Sequence, residues 1–134
     1  MIPYEDYQKV DIRIGHIISA EKVPDTDKLV KLSVDFGETE TETATNETNS
    51  IKSVPRQIIR QIVSGIALHF PDVSVLIGKK CAFVANLEPR VIKGLESQGM
   101  ILAASIKAQD KNETTSAFSL LEVSSDIPPG TKVS

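Results

Sequence analysis

An all-β barrel is the fold class this sequence predicts, on three observations. Apolar residues recur with the period of two that marks half-buried strands, in several short runs separated by turn formers. One short stretch, between the third and fourth runs, has helical spacing instead. No segment repeats, and the longest apolar runs, 82–85 and 100–104, fall far short of the roughly 20 residues of a membrane helix.

The first strand is DIRIGHIISAEKV (11–23), in which Ile12 and Ile14 alternate with Asp11 and Arg13 before the run continues through Ile17 and Ile18. Gly15 stands where a bulge or sharp bend would fit. PDTD (24–27), whose proline and two aspartates are turn formers, joins it to KLVKLSVDFG (28–37), with Leu32, Val34 and Phe36 on one face; together they give a hairpin signal. GETETETATNETNSIKS (37–53) has too few apolar residues to pack and reads as an acidic, Thr/Glu-rich hairpin loop or insertion extruded from the barrel. RQIIRQIVSGI (56–66) is a third strand, ending at Ser64-Gly65. ALHFPDVSVLIG (67–78) spaces Leu68, Phe70, Val73, Leu76 and Ile77 as a short connecting helix would. KKCAFVANL (79–87), MILAASI (100–106) and AFSLLEVS (117–124) are the fourth, fifth and last strands, before the tail DIPPGTKVS (126–134). A short helix between the third and fourth strands is the order of a five-stranded OB-fold barrel, here with N- and C-terminal extensions. An SH3-like barrel is the alternative, which the helix disfavours. At 134 residues the chain is expected to form one domain, 1–134.

The net charge of −3 averages unlike parts. Residues 35–50 carry five acids and no base, whereas the rest of the chain has 13 acids against 15 bases. From 52 to 107, eight bases face three acids. A mildly basic body carrying an acidic segment is compatible with polyanion binding. The N-terminal MIPYEDYQKV lacks the basic and apolar regions of a secretory signal, so a cytoplasmic chain with no membrane partner is expected. The single cysteine, Cys81, lies inside CAFVA, cannot make an internal disulfide and reads as a buried, inert thiol.

Catalysis needs convergent titratable groups, and there is little material for it. His16 and His69 have no partner at metal-ligand spacing, so neither a metal nor a cofactor is expected. Ser64-Gly65 lacks the context of a nucleophile elbow, and no glycine-rich phosphate loop occurs. Asp25 and Asp27 could pair as acid and base, yet a proline turn accounts for both. The chain reads as no enzyme. Binding is the better prospect, because Arg56, Arg60, Lys79, Lys80, Arg90 and Lys93 fall on the third and fourth strands and the loop after them, parts of which a barrel brings onto one side. The six aromatics (Tyr4, Tyr7, Phe36, Phe70, Phe83, Phe118) sit mostly where strands would bury them, which supplies a base-stacking platform poorly. An RNA ligand would then be a folded one, read by shape, phosphate and 2′-hydroxyl.

The blocks KVDIRIGHI (9–17), PDTDKL (24–29), RQIVSGIA (60–67), GKK (78–80), ANLEPRVIKGLESQGMILAAS (85–105) and PPGTKV (128–133) run from end to end of the chain. In them the sequence resembles the tRNA-binding domain found at the C-terminus of methionyl-tRNA synthetases, in free-standing tRNA-binding proteins and in the EMAP II precursor. The resemblance implies an OB barrel that binds the folded outside corner of tRNA with little discrimination and catalyses nothing. By this resemblance Lys28, Asn86, Arg90 and Lys93 are polar and cationic contacts, and Ser97, Gln98 and Met100 form the loop that approaches RNA. Arg90 and Lys93 would pair phosphates, Ser97 and Asn86 would bond a phosphate or a 2′-hydroxyl, and Gly99 would allow close backbone approach. Met100 also stands at the start of the fifth strand, where filling the core is an equal alternative. The CsaA-type export chaperone shares the barrel and the PPGTK-like tail but lacks the DKL and SQGM blocks; a chaperone or protein-interaction module is the alternative function. Free-standing relatives imply a homodimer formed through MIPYEDYQKV and SSDIPPGTKVS. The start at Met1 without a catalytic domain suggests a free-standing binder or a separately encoded subunit partnering an aminoacyl-tRNA synthetase.

Overall fold

Strand β2 (Val30–Thr45) shows how the sequence builds the barrel: Val30, Leu32, Val34 and Phe36 are all buried, while Lys31, Ser33 and Asp35 between them are half-exposed. Successive side chains of a strand point to opposite faces, so this alternation commits one face to the core. The computed structural model describes residues 1–45, 51–107 and 115–134. It places β2 between β1 (Ile12–Lys22) and β3 (Ile51–Ser64), and β1 pairs on its other side with β4 (Lys80–Val84). With β7 (Met100–Ile101) beyond β4, these make a five-stranded antiparallel sheet of order β3-β2-β1-β4-β7. The sheet curls as an OB barrel does, and its edges meet where the Gln98 N–H donates to the Gln61 carbonyl of β3 at 2.8 Å. Two ribbons complete the described strands: β5 (Arg90–Ile92) with β6 (Leu95–Ser97), and β8 (Ala103–Lys107) with β9 (Thr115–Leu120).

Inside the curl, Ile17, Leu32, Val34, Phe36, Ile62, Leu76, Phe83 and Ile101 share one cluster, with the Phe36 and Phe83 rings meeting edge to face at 5.2 Å. Gly15 belongs to this packing and does not mark the expected bend. A Cβ there would lie 2.5 Å from Val34 Cγ1 and 2.9 Å from both phenylalanine rings; the register shift of β1 falls between Ile17 and Ser19 instead. Where β2 leaves β1, beyond His16↔Asp35, the C-terminal tail takes its place. The Ile14 N–H donates to the Thr131 carbonyl at 2.9 Å, and the N–H groups of Gly130 and Val133 donate back to Ile14 and Ile12.

Three expectations are revised and one element is added. The helix expected over 67–78 is two separate 3-10 turns, Ala67–His69 and Val73–Leu76. Pro71 between them has no N–H to continue a helix, and Asp72 starts the second turn afresh by accepting the Ser74 N–H at 3.0 Å. The acidic segment expected as an extruded hairpin loop has arms that are strand: Thr39 pairs with Gln57, Thr41 with Pro55 and Thr45 with Ile51, extending β2 and β3 past the barrel as a ribbon. β-Branched threonines favour strand backbone, and cross-strand bonds form without an apolar core. Residues 46–50 of that segment lie outside the described residues. The fifth strand is interrupted at Leu102, between β7 and β8. Finally, a short helix α1 (Tyr4–Gln8), too brief to leave a periodic signal, opens the chain.

If Gly15 is a packing glycine, Gly15→Ala should lower the free energy of urea unfolding by about 1–3 kcal/mol, the usual cost of overpacking. Gly65→Ala, where nothing lies within 4 Å of the added carbon, should change it by less than about 0.5 kcal/mol.

Candidate nucleic-acid interface

The turn between β1 and β2 is held by three bonds. Thr26 Oγ1 donates to the Val23 carbonyl at 2.8 Å, the Val23 N–H to the Leu29 carbonyl at 3.0 Å, and the Ala67 N–H to the Lys28 carbonyl at 2.9 Å. Asp25 within it has φ of 62°, a left-handed conformation that aspartate tolerates better than most residues. Across from the turn is the tip of the β5–β6 hairpin. Ile92 and Leu95 pair there, and the two residues between them, Lys93 and Gly94, have φ of 50° and 80°, the positive pair that a two-residue type I′ turn requires.

Turn and tip enclose an open groove of about 360 Å³ lined by Asp25, Thr26, Asp27, Lys28, Leu29, Ile92 and Lys93. A second hollow of about 280 Å³ shares Lys93 and adds Lys22, Lys31 and Leu95. The structure therefore brings Lys28 and Lys93 together, with Arg90 on the same hairpin, and adds Lys22, which the sequence reading passed over. Register could have found it: in a hairpin turned at PDTD, Lys22 stands opposite Val30 and beside Lys31, which pairs with Glu21 at 3.3 Å.

The other expected contacts, Met100 apart, make bonds within the molecule. Arg60 makes a two-pronged ion pair with Glu38, Nε–Oε1 at 2.7 Å and Nη2–Oε2 at 2.8 Å, and donates from Nη1 to the carbonyls of Ala85 and Gln98. Its guanidinium lies 5.1 Å from the centre of the Phe36 ring. Ser97, 4% exposed, accepts the Val63 N–H at 2.9 Å, and Gln98 Oε1 accepts the Gln61 N–H at 3.0 Å. These two side chains bond β3 in place of a backbone partner. Asn86 accepts the Asp11 N–H at 2.9 Å and donates to the Lys9 carbonyl at 2.6 Å, pinning the N-terminal segment to the end of β4. Arg56 pairs with Glu40 across the ribbon at 3.6 Å. Lys79 pairs with Glu122 at 3.0 Å and Lys80 donates to the Ser125 carbonyl at 2.7 Å, both fastening the chain after β9. Lys80 lies four residues along β4 from Val84, where the seam begins, a span of roughly 13 Å.

The geometry also bears on Gly99 and Met100. Gly99 approaches protein backbone closely: a Cβ would stand 3.1 Å from the Val84 carbonyl and 3.2 Å from Ile62. Met100 does not fill the core, because it is 47% exposed beside the seam, opposite Val84. Among the residues whose side chains are described, Lys22, Lys28, Lys80, Arg90, Lys93 and Lys132 are the lysines and arginines without an ion-pair partner, and Lys80 instead donates to the Ser125 carbonyl. Four of these six lie on the β1–β2 hairpin or the β5–β6 hairpin.

Elsewhere the chemistry is quiet. Cys81 is fully buried and its thiol is pushed up to about 11, mainly by burial and then by the Glu122 charge, so it forms little thiolate near neutrality. The His69 ring stacks on Phe118 at 3.9 Å. Among the described residues no three His, Cys, Asp or Glu side chains gather as metal ligands, and no helix is long and apolar enough to cross a membrane.

Comparison with known proteins gives this arrangement a context. The family model for a tRNA binding domain matches residues 53–132. A methionine-tRNA ligase of Thermotoga maritima is 40% identical over 133 residues, 99% of this chain, and one of Caldanaerobacter subterraneus is 41% identical over the same length. The chain spans 17% and 16% of the lengths of those two ligases. Among solved structures, a MetRS-related protein of Pyrococcus horikoshii superposes with a TM-score of 0.71 at 32% identity, covering 99% of this chain and 97% of that one.

The division between spent and unspent side chains should appear in stability. Ser97→Ala, which strands the buried Val63 N–H, and Arg60→Gln, which breaks the ion pair with Glu38, should each cost about 1–3 kcal/mol in urea unfolding. Arg90→Gln and Lys93→Gln should stay within about 0.5 kcal/mol.

Proposed function

Because this chain belongs to the tRNA binding domain family, we propose that it is a non-catalytic module that holds the folded outer corner of tRNA with little sequence discrimination, supplying affinity in trans to a methionyl-tRNA synthetase. The observation that carries this reading is the segregation of charge. Arg60, Lys79 and Lys80 are consumed within the fold, whereas Lys22, Lys28, Arg90 and Lys93 stand unpaired on two facing hairpins. Cations that stabilise nothing in the barrel remain available to phosphates, whose contacts position a protein without reading sequence. Val91 is exposed on the same hairpin as Arg90 and Lys93 and offers apolar contact to ribose and base faces.

The polar loop SQGM serves this surface indirectly. Ser97 and Gln98 fix the base of the β5–β6 hairpin to β3, so that Arg90 and Lys93 project from a held frame. Pre-organised donors lose less freedom on binding. Filter binding of bulk tRNA at about 50 and about 200 mM salt tests the reading, since phosphate-driven binding should weaken steeply over that range. Arg90→Ala with Lys93→Ala should lower the slope of log affinity against log salt by roughly 1.4–1.8, the value for two phosphates. Absence of retention at the lower salt sinks the proposal.

The module works as a homodimer in this reading. Met1, Ile2, Tyr4, Tyr7, Val10 and Val133 are exposed at one end of the molecule, and Tyr4, Tyr7 and Val10 line a shallow depression with Lys132 and Val133. Apolar side chains gathered on an exposed end are what an association surface presents. Tyr4→Asp with Tyr7→Asp should halve the mass in sedimentation equilibrium and leave the urea midpoint of the barrel unchanged. A wild-type chain that sediments as a monomer contradicts the dimer.

A further inference from the structure

The groove between the β1–β2 turn and the β5–β6 tip contains more than phosphate recognition needs. Lys28 and Lys93 stand in its walls, but so do Asp25 and Asp27, and its floor is apolar, from Leu29 and Ile92. Neither carboxylate has a hydrogen-bond or ion-pair partner among the described residues. The two unpaired carboxylates offset part of the attraction that the two ammonium groups exert on a bare polyanion. They suit a ligand that presents an anion on one side and hydroxyl donors on the other, separated by a face that tolerates apolar contact.

We infer that this groove is a subsite for a single unstacked ribonucleotide of the bound RNA. Its phosphate lies between Lys28 and Lys93, its base or sugar face rests on Leu29 and Ile92, and its ribose 2′-hydroxyl donates to Asp25 or Asp27. At about 360 Å³ the groove falls within the range of about 300–1,000 Å³ typical of small-ligand pockets. Its walls are fixed in advance: the backbone of 23–29 is bonded by Thr26, Val23 and Ala67, and the tip is a two-residue turn. The 2′-hydroxyl is the group by which a protein distinguishes RNA from DNA. The acids thus convert a general phosphate surface into one selective for RNA. This inference rests on the RNA-binding reading above and adds which residues set the choice of sugar.

Filter binding of a tRNA transcript and of its all-deoxy counterpart, with wild-type chain and with Asp25→Gly plus Asp27→Ala, tests it. Glycine keeps the positive φ at position 25 accessible, and the urea midpoint confirms the fold. The preference for RNA over DNA should fall by about tenfold, a charge-assisted hydrogen bond being worth at least that. The salt slope should not change. Lys28→Gln, in a separate variant, should reduce the slope for RNA by about 0.7–0.9, one phosphate. An equal rise in affinity for both polymers on removing the acids shows mere repulsion and overturns the subsite, as does an unchanged preference. Failure of the wild-type chain to retain either polymer overturns the tRNA reading itself, and the subsite with it.

Discussion

A curled sheet has two free edges, and the rest of this structure depends on how they are joined. The joint is made mostly by side chains. Ser97 Oγ and Gln98 Oε1 accept N–H groups of Val63 and Gln61, and one backbone bond, Gln98 to Gln61, lies between them. Arg60 spans the same seam from β3, reaching the carbonyls of Ala85 and Gln98 while Glu38 neutralises its charge. Each buried N–H left without a partner would cost about 1–3 kcal/mol, so these bonds hold the edges in one register. Gly99 follows at once because the chain must pass against the Val84 carbonyl to enter β7.

The seam also determines which surface is free to bind. Closing the barrel with polar side chains uses the polar residues of the rim, and the hairpin that springs from it then carries the unpaired charge. Arg90 and Ser97 are cross-strand partners in that hairpin, one exposed and one buried. A single pair of adjacent residues thus separates a side chain that closes the barrel from one left exposed. The same logic separates the far end of β4, where Lys79 and Lys80 are occupied with fastening the chain after β9.

Much of the fold was legible in the sequence because alternation survives into burial. Leu32, Val34 and Phe36 form the core face they were expected to form, and PDTD turns the hairpin it signals. What was not legible has physical reasons. Leu68 to Ile77 keep helical spacing, but Pro71 withholds an N–H, and composition alone does not weigh one missing donor against five apolar residues. The candidate site is less legible. A polar residue in a loop has the same letter whether it faces solvent or an unpaired strand edge, so the sequence does not show that Ser97, Gln98 and Asn86 bond backbone groups. The distinction requires knowing that β3 lacks a neighbour at Gln61 and Val63, which is a property of barrel closure and of no local window. Lys28, Arg90 and Lys93 are exposed where the reading expected cations.

The acidic ribbon fits this partition of charge. Its first acid, Glu38, is bound into the seam by Arg60, and the next on the same face, Glu40, faces Arg56 across the ribbon. Both acids nearest the barrel are therefore countered by bases that would otherwise enlarge the cationic surface. An ion pair at the exposed end of such a ribbon contributes little to stability, about 0–1 kcal/mol, so its effect is mainly on the field the molecule presents. Arg56 and Arg60 are removed from the attractive surface without adding a net negative charge beside it. What remains unpaired is a small patch around the two facing hairpins, where Lys22, Lys28 and Lys93 stand near Asp25 and Asp27. Confining the unpaired cations in this way gives the barrel one cationic rim, which the average of −3 over the whole chain conceals.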